Sequence, residues 1–227
     1  MPIAKLTKIK KCYHTDNFNT WALRGIDLLI HPGEFIAVHG PSGSGKSTLC
    51  NIIGLIDHPS EGIFTFEGMD IGKTSDQQLS NMRRKYIGFI FQNFNLIPVL
   101  TAVENVLLPL QFKGAVTTAN RFNAIELLES FGLHKEISRR PHELSGCQQQ
   151  RVSIARAIIT NPTIIIADEP TANLDTHNAI SIIDLMLDLN QVKGTTFLFS
   201  THDSRLLDRV GRKIYLQDGL IIDEARL

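Results

Sequence analysis

The sequence predicts an α/β fold in which a mostly parallel sheet is flanked by helices. Three observations support this prediction. A glycine-rich loop joins an apolar strand to a helix at residues 35–56, strands alternate with helices after residue 160, and short alternating strands occupy the first 70 residues. Strands that alternate with helices favour parallel pairing, because each helix carries the chain back across the sheet. The early strands instead predict an antiparallel β part, and the middle of the chain predicts a helical insert.

Length and composition exclude several classes of protein. The 227 residues suffice for one large domain with its own core. The 23 basic residues balance the 23 acidic ones, which argues against a strongly cationic nucleic-acid binder, so no nucleic-acid partner is expected. Three cysteines without a CxxC spacing indicate neither a disulfide framework nor a zinc site. A reduced cytosolic compartment fits best, and no apolar window of about 18 residues predicts a membrane span.

The first third of the chain predicts three strands that lead into a helix. Residues 4–13 and 21–30 alternate as strands do, 16–20 are polar and turn-like, and 31–34 form a turn before an apolar strand at 35–38. The lysines of the first strand are best explained by a solvated edge, with a nucleic-acid stripe as the weaker alternative. A helix over 46–56 and an alternating strand over 63–66 follow.

The rest of the chain turns helical and then alternates. Ser75 is a plausible N-cap for a helix over 75–85, and Thr101 with Glu104 forms a capping-box pattern at the start of a helical stretch over 101–139. The remaining predicted elements are strands at 87–91, 163–167, 195–200, 213–216 and 220–222, and helices at 145–160, 176–190 and 203–210. The chain is thus one domain, 1–227, with a nucleotide-binding core at about 1–91 and 161–227 and a helical subdomain at about 92–160.

The segment at 40–48 has the pattern of a phosphate-binding loop, and we call it the phosphate loop. Glycines let successive N–H groups turn inward around phosphate oxygens, and the helix N-terminus adds partial positive charge. Lys46 can reach the β- and γ-phosphates, and the Ser47 hydroxyl can bind Mg²⁺. A merely flexible loop is the weaker alternative, because a strand precedes the segment and a helix follows it. The sequence predicts a P-loop NTPase whose nucleotide contacts are Gly40, Pro41, Ser42, Gly43, Ser44, Gly45, Lys46, Ser47 and Thr48.

Two adjacent carboxylates, Asp168 and Glu169, follow the apolar strand predicted at 163–167. Ligands of open α/β sheets bind at the carboxyl ends of the strands. Asp168 is therefore placed to hold Mg²⁺ from its outer coordination sphere, and Glu169 to accept a proton from the attacking water. Ordinary solvated loop charges are the weaker alternative beside a phosphate loop.

A second helix N-terminus is predicted at residues 144–148, which read LSGCQ. Ser145 and Gln148 have the spacing of a capping box, so a purely structural cap is one interpretation. A helix N-terminus that offers a hydroxyl and free N–H groups also suits an anion, which is the functional interpretation.

With these motifs, the chain resembles the ATP-binding cassette (ABC) subunits of transporters over residues 13–202. In that family the signature LSGGQ of one subunit closes on the ATP held by the other, so that two cassettes sandwich two nucleotides head to tail. The resemblance therefore implies ATP and Mg²⁺ as cofactors and a second copy of the chain as partner. It also implies contacts from Ser145, Gly146, Cys147 and Gln148 to the ATP of that second copy.

Further positions match the family one by one. Tyr13 resembles the aromatic residue that stacks on adenine, although a core or edge tyrosine is a serious alternative. Gln92 matches the glutamine that touches Mg²⁺ and the attacking water and senses the membrane partner; alone it would be only a polar residue ending a strand. Residues 172–175 match the D-loop that crosses the dimer interface. The resemblance implies a catalytic set of Glu169, His202, Lys46 and Gln92, and a metal set of Ser47, Gln92 and Asp168.

His202 matches the switch histidine that contacts the γ-phosphate. A lone histidine after a strand is usually structural, but residues 200–203 read STHD in the expected order. Glu169 then polarises water for in-line attack, while Lys46 and His202 stabilise charge on the transferred phosphoryl group.

Cys147 departs from the family pattern, which carries a second glycine at this position. Its sulfur could crowd the dimer interface, and a residue with a Cβ is disfavoured wherever φ is positive. The helical prediction for this segment instead gives φ near −60°, where cysteine is tolerated. We expect a working signature, with a slower than usual turnover as the open alternative.

Residues 91–98 and 101–106 resemble cassettes of the macrolide-efflux and lipoprotein-release type. The apolar stretch around Pro98 could receive a cytoplasmic helix of a membrane partner, or could simply cover the core of the helical subdomain. The resemblance implies integral membrane permease subunits bound through residues 92–99, and a cytoplasmic chain held peripherally at the inner face of the membrane. Two alternatives stay open, namely a soluble ABC protein of DNA repair or translation, and an ATP-gated scaffold that hydrolyses poorly.

Overall fold

Two sheets make up the β structure in a computed structural model that describes residues 1–15 and 18–226. The larger sheet is six-stranded and mostly parallel, and the smaller one is four-stranded and antiparallel. The strands, in chain order, are β1 (Ala4–Thr15), β2 (Phe18–Ile30), β3 (Phe35–His39), β4 (Glu61–Phe66), β5 (Met69–Asp70), β6 (Ile87–Ile90), β7 (Ile164–Ala167), β8 (Thr196–Thr201), β9 (Arg212–Gln217) and β10 (Leu220–Arg226).

The larger sheet has the order β10-β9-β3-β8-β7-β6, and the smaller has the order β2-β1-β4-β5. Every pair in the larger sheet is parallel except β9 with β10. Each residue of β7 and β8 is buried, because both faces of these central strands are covered. The α/β architecture and the antiparallel N-terminal part are therefore as predicted.

The described helices are α1 (Lys46–Ile53), α2 (Asp76–Tyr86), α3 (Ala102–Gln111), α4 (Thr118–Ser130), α5 (Gly146–Ile158) and α6 (Thr176–Lys193). Capping boxes begin α2 at Ser75, α3 at Thr101 and α5 at Ser145, as the sequence pattern predicts. A further box at Thr117 begins α4, so the stretch predicted as helical over 101–139 holds two helices with a turn between them. Residues 131–139 form turns and irregular structure, so the helical prediction is wrong there.

Several predicted elements have other bounds or another type in the structure. The helix predicted over 46–56 ends at Ile53, where Gly54 donates to the Cys50 carbonyl. The helix predicted over 203–210 is a 3-10 turn, Ser204–Arg209. Residues 18–20 of the predicted polar turn belong to β2, and residues 16–17 lie outside the described part of the chain.

The core divides along the faces of the larger sheet. Residues at alternate positions of a strand point to opposite faces. Accordingly, Ala37 and Phe199 join a cluster with the helices α3 to α6, whereas Val38 and Leu198 join a cluster with α1, α2 and the antiparallel sheet. The division into a core and a helical subdomain at about residues 92–160 stays a prediction.

Candidate nucleotide-binding and catalytic site

The phosphate loop needs glycine where its backbone is close to other strands. Gly40 has φ 150°, and a Cβ there would lie 2.0 Å from the carbonyl oxygen of Leu216 in β9. Gly45 has φ 105°, and a Cβ there would lie 2.5 Å from the carbonyl oxygen of Ala22 in β2. Both positions therefore exclude any side chain, so the loop geometry depends on these two residues.

The N-terminus of α1 is open. Its N-cap is Gly45 in the left-handed conformation, and no side chain caps the first turn. The first N–H groups of such a helix have no intrahelical acceptor, and the helix dipole favours an anion beside them. Ser44 adds a buried hydroxyl, which finds no hydrogen-bond partner within the described structure. This arrangement suits a phosphate group.

Lys46 is buried, and its ammonium lies within the loop. Nζ donates to the carbonyl oxygens of Gly40 at 3.0 Å and Pro41 at 2.9 Å. These bonds hold the charge beside the open helix N-terminus, where a phosphate oxygen can replace the carbonyls as acceptor. Pro41, Ser42 and Ser47 are exposed, and Thr48 is half-buried.

Asp168 joins the phosphate loop to the end of the sheet. Its Oδ1 accepts from Ser47 Oγ at 3.0 Å and from Ser200 Oγ at 2.6 Å. The Ser200 hydroxyl accepts in turn from the backbone N–H of Glu169 at 2.8 Å. These hydroxyl and carboxylate oxygens are the ligands that Mg²⁺ prefers, so the residues present fit that ion. The structure thus brings the predicted Ser47 and Asp168 together.

Sequence analysis missed Ser200. Ala167 of β7 pairs with Phe199 of β8 in a parallel register, which places the next residues, Asp168 and Ser200, side by side. A buried hydroxyl in an otherwise apolar strand that ends at the same sheet edge was the available signal.

Glu169 and His202 also lie together. His202 Nδ1 is 2.9 Å from Glu169 Oε2, and the histidine is exposed while the carboxylate is largely buried. Glu169 has φ 48°, which is uncommon for a residue other than glycine. Such backbone strain is maintained only where the surroundings fix it, and it collects at functional sites.

His202 also faces a cavity of about 350 Å³ with His39, Gly40, Pro41, Leu207 and Tyr215. Burial lowers the pKa of His39, and the nearby charge of Lys213 lowers it further. The imidazole of His39 is therefore neutral near pH 7 and adds no cation beside the phosphate loop.

The loop after β6 carries Gln92, which is exposed. Its backbone carbonyl accepts from Asn173 Nδ2 at 2.9 Å, and the same amide donates to Asn93 Oδ1 at 3.1 Å. Residues 172–175, which match the D-loop, are thus attached to the loop that carries Gln92, which matches the family's Q-loop. Sequence analysis assigned no role to this contact.

Arg156 holds the next two residues of that loop. Its guanidinium donates to the carbonyl oxygens of Asn95 and Phe94, both of which have positive φ. Burial lowers the pKa of Arg156, but the ordinary value is so high that the side chain stays charged. A buried charge thereby fixes a backbone turn that apolar contacts alone would not specify.

The signature segment, residues 144–148, begins α5. Ser145 Oγ accepts from the Gln148 N–H at 3.3 Å, and Gln148 Oε1 accepts from the Ser145 N–H at 2.9 Å. Cys147 lies in the first turn of α5, is not among the residues with positive φ, and packs partly against the core. A Cβ on Gly146 would make only ordinary contacts, the nearest at 3.6 Å to Leu174.

Tyr13 lies on β1, with 40% of its surface exposed. Its hydroxyl donates to Asp57 Oδ2 at 3.0 Å, and Lys11 Nζ lies 5.0 Å from the ring centroid. The tyrosine is therefore neither a core residue nor a free edge residue.

Comparison with known proteins agrees with this geometry. The sequence profile of the ABC transporter family matches residues 23–172. A macrolide export ATP-binding/permease protein, MacB, of Syntrophobacter fumaroxidans is 42% identical over an alignment that covers 99% of this chain and 32% of MacB. A lipoprotein-releasing system ATP-binding protein, LolD, of Pseudoalteromonas translucida is 42% identical over 96% of this chain and 94% of LolD. The dimeric post-hydrolysis state of the cassette MJ0796 with ADP and Pi superimposes with a TM-score of 0.90, at 44% identity over 99% of this chain and 98% of that one.

The chain belongs to the ABC transporter family. It is an ATP-binding and ATP-hydrolysing cassette with the P-loop NTPase fold, as the motifs predict. It spans about a third of the length of the MacB relatives that it matches. Within residues 1–15 and 18–226, no helix combines the length and the apolar character needed to cross a membrane.

Proposed function

We propose that this cassette drives membrane permease subunits of the lipoprotein-release or macrolide-efflux type by closing head to tail with a second copy on ATP. The observation that supports this most directly is the continuous hydrogen-bonded chain from Ser47 through Asp168 and Ser200 to Glu169 and His202. In this proposal the Ser47 hydroxyl is the metal ligand, the Glu169 carboxylate is the base, and His202 lies beside that carboxylate.

Each side chain has one task in this proposal. The phosphate loop and Lys46 bind the phosphates, with Tyr13 against the adenine. Ser47 and Gln92 would hold Mg²⁺ directly and Asp168 from its outer sphere, and the ion would neutralise charge on the phosphates when bound. Glu169 accepts a proton from the attacking water, and His202 holds that carboxylate in place and faces the γ-phosphate.

The second copy of the chain supplies the signature residues that contact the γ-phosphate held on the phosphate loop of the first. Ser145, Gly146, Cys147 and Gln148 stand at a second helix N-terminus that suits the γ-phosphate of a facing nucleotide. A relative of known structure, MJ0796, is dimeric. The Cys147 side chain leaves the helix backbone undisturbed, so we propose a functional signature.

The permease is proposed to contact residues 92–99 and the groove beside them. Of the apolar residues in this stretch, Leu96 packs against the core, whereas Ile97, Pro98 and Val99 are exposed. The adjoining groove of about 330 Å³ has an apolar lining that includes Phe89, Phe91, Leu108, Pro109 and Phe112. An amphipathic cytoplasmic helix is the partner that such a groove fits. The cassette would then sit at the inner face of the membrane.

The alternative is an ATP-gated scaffold that dimerises and hydrolyses poorly, and only Cys147 favours it. Steady-state ATP turnover separates the two proposals. We expect Mg²⁺-dependent turnover in the unchanged chain, a loss of at least about a hundredfold in Glu169→Gln, and little change in Cys147→Gly. Background turnover in the unchanged chain that Cys147→Gly restores would instead support the scaffold.

A further inference from the structure

We infer that Asp57 and Lys11 are positioning residues that fix the Tyr13 ring as a stacking platform for the nucleotide base. This inference rests on the proposed function, since it deepens the role of Tyr13 at the same site. The three side chains form a closed set of contacts, which we call the base clamp.

The base clamp is built on one carboxylate. Asp57 Oδ1 accepts from Lys11 Nζ at 2.6 Å, and Asp57 Oδ2 accepts from the Tyr13 hydroxyl at 3.0 Å. Lys11 Nζ also donates to the His58 carbonyl at 2.8 Å and lies 5.0 Å from the centroid of the Tyr13 ring. The ammonium therefore lies over one face of the ring, and we infer that the base stacks on the other face.

Hydrogen bonds fix the backbone that carries the base clamp. β1 has an irregularity in its pairing with β2 between Lys11 and Cys12, and such bulges re-aim the side chains beside them. Ser60 N donates to the Lys10 carbonyl at 2.8 Å, and Ser60 Oγ accepts from the Cys12 N–H at 3.0 Å. The segment that carries Asp57 is thus fastened to the strand that carries Lys11 and Tyr13.

Helix α1 connects the clamp to the phosphate loop. The helix begins at Lys46, and the N–H of Asp57 donates to the carbonyl of Asn51 near its end. Eight helical residues rise about 12 Å, which is comparable with the length of a nucleoside triphosphate. On the neighbouring strand, Ala22 touches Gly45 of the phosphate loop, and Thr20 pairs with Tyr13. The clamp therefore lies within reach of a base whose phosphates occupy the loop.

The charged groups of the base clamp are more buried and have more hydrogen bonds than those of an exposed ion pair. Burial alone would raise the pKa of Asp57, but the hydrogen bonds from Lys11, the His58 N–H and Tyr13 outweigh it, and the pKa is lowered. Only 13% of the Lys11 side chain is exposed. Ordering a long cation and an aromatic ring has an entropic cost, which the bonds to Asp57 offset before a base arrives.

Binding measurements on the full chain test this inference by calorimetry, with ATP and with inorganic tripolyphosphate as a ligand that has no base. Asp57→Asn removes the carboxylate charge, and Tyr13→Phe removes only the hydroxyl while it keeps the ring. Tyr13→Ala removes the platform itself. Glu61→Gln is the matched control, because it breaks the exposed ion pair between Lys10 of β1 and Glu61 of β4 and leaves the Asp57 carboxylate in place.

We expect Tyr13→Ala to weaken ATP binding about tenfold, within the range measured for aromatic stacking on a base. Asp57→Asn and Tyr13→Phe should weaken it about threefold to tenfold. No variant should change tripolyphosphate binding, which also shows that the variants are folded. Glu61→Gln should behave as the unchanged chain does.

Three outcomes would contradict the inference or the proposal beneath it. If Tyr13→Ala alone loses ATP affinity while Asp57→Asn and Tyr13→Phe do not, the clamp is wrong and the stacking role of Tyr13 stands. If Tyr13→Ala keeps full ATP affinity, the stacking role in the proposed function is wrong and the clamp falls with it. Equal losses for ATP and tripolyphosphate in Asp57→Asn and Tyr13→Phe would also overturn the clamp, because its effect would then be on the fold.

Discussion

The phosphate loop and the signature segment both begin a helix, but their helix ends are completed in opposite ways. At α1 the N-cap is a glycine without a capping side chain. At α5 the Ser145 and Gln148 side chains already satisfy two N–H groups of the first turn. The first helix end is therefore a ready anion site, whereas the second is stable without a ligand. This difference supports the proposal that one chain holds a nucleotide on its phosphate loop and that its signature acts only on the nucleotide of a second copy.

The largest expected effect comes from a matched pair of glycine substitutions. Gly45→Ala places a Cβ 2.5 Å from the Ala22 carbonyl at a positive φ, whereas Gly146→Ala meets its nearest neighbour at 3.6 Å. We expect Gly45→Ala to weaken ATP binding and to lower ATP turnover about a hundredfold, since displacing the loop misplaces the phosphates. Gly146→Ala should leave the ATP affinity of the monomer unchanged. Equal ATP affinities of the two variants in calorimetry would contradict the contrast.

A smaller effect is expected at the junction of the loop with the sheet. Asp168→Asn weakens the acceptor shared by the Ser47 and Ser200 hydroxyls. The concentration of Mg²⁺ needed for half-maximal turnover should rise about tenfold or more, as for other groups that orient metal ligands. Asp184→Asn, which breaks an exposed pair with Arg209, is the control. An unchanged Mg²⁺ requirement in Asp168→Asn would show that this carboxylate does not help to bind the metal.

The attachment of the D-loop to the Q-loop predicts a more modest change. Asn173→Ala removes the amide that donates to the Gln92 carbonyl and to Asn93. We expect a several-fold lower kcat, because the two hydrogen bonds position the loop and their loss loosens it without removing a group that acts on the nucleotide. The KM for ATP should stay the same, because the phosphate loop is untouched. A raised KM with unchanged kcat would show that these two hydrogen bonds affect ATP binding rather than turnover.

The smallest effect is expected at Cys147. Its place in the first turn of α5 predicts turnover within about twofold of the unchanged chain in Cys147→Gly. Glycine disfavours helix, so the free energy of unfolding should fall by up to about 1 kcal/mol. Urea denaturation and steady-state turnover measure the two quantities. A large gain in turnover would mean that the sulfur obstructs the signature.

Local sequence determined which features could be predicted. The phosphate loop, the caps at Ser75, Thr101 and Ser145, and the apolar strand before Asp168 depend on neighbouring residues, so their patterns were visible. The hydrogen bonds of Ser200 and Asn173 join segments 32 and 81 residues apart. Their partners are decided by sheet register and loop packing, which no local pattern contains.

The helical stretch over 101–139 shows a limit of another kind. Its apolar spacing is compatible with one long helix or with two. The chain forms two helices, and Thr117 caps the second. Gly114 adopts φ 146° between them. Periodicity predicts that a helix is present more reliably than it predicts where the helix ends.

The central claim is that the two halves of one catalytic site come from two copies of the chain. Lys46→Ala removes the phosphate loop charge, and Ser145→Arg blocks the signature segment. Each variant alone should have background ATP turnover. Mixed in equal amounts, they should regain turnover, because a mixed dimer pairs the intact Lys46 of one copy with the intact Ser145 of the other. A mixture as inactive as its separate components would contradict the claim, provided that each variant alone remains folded.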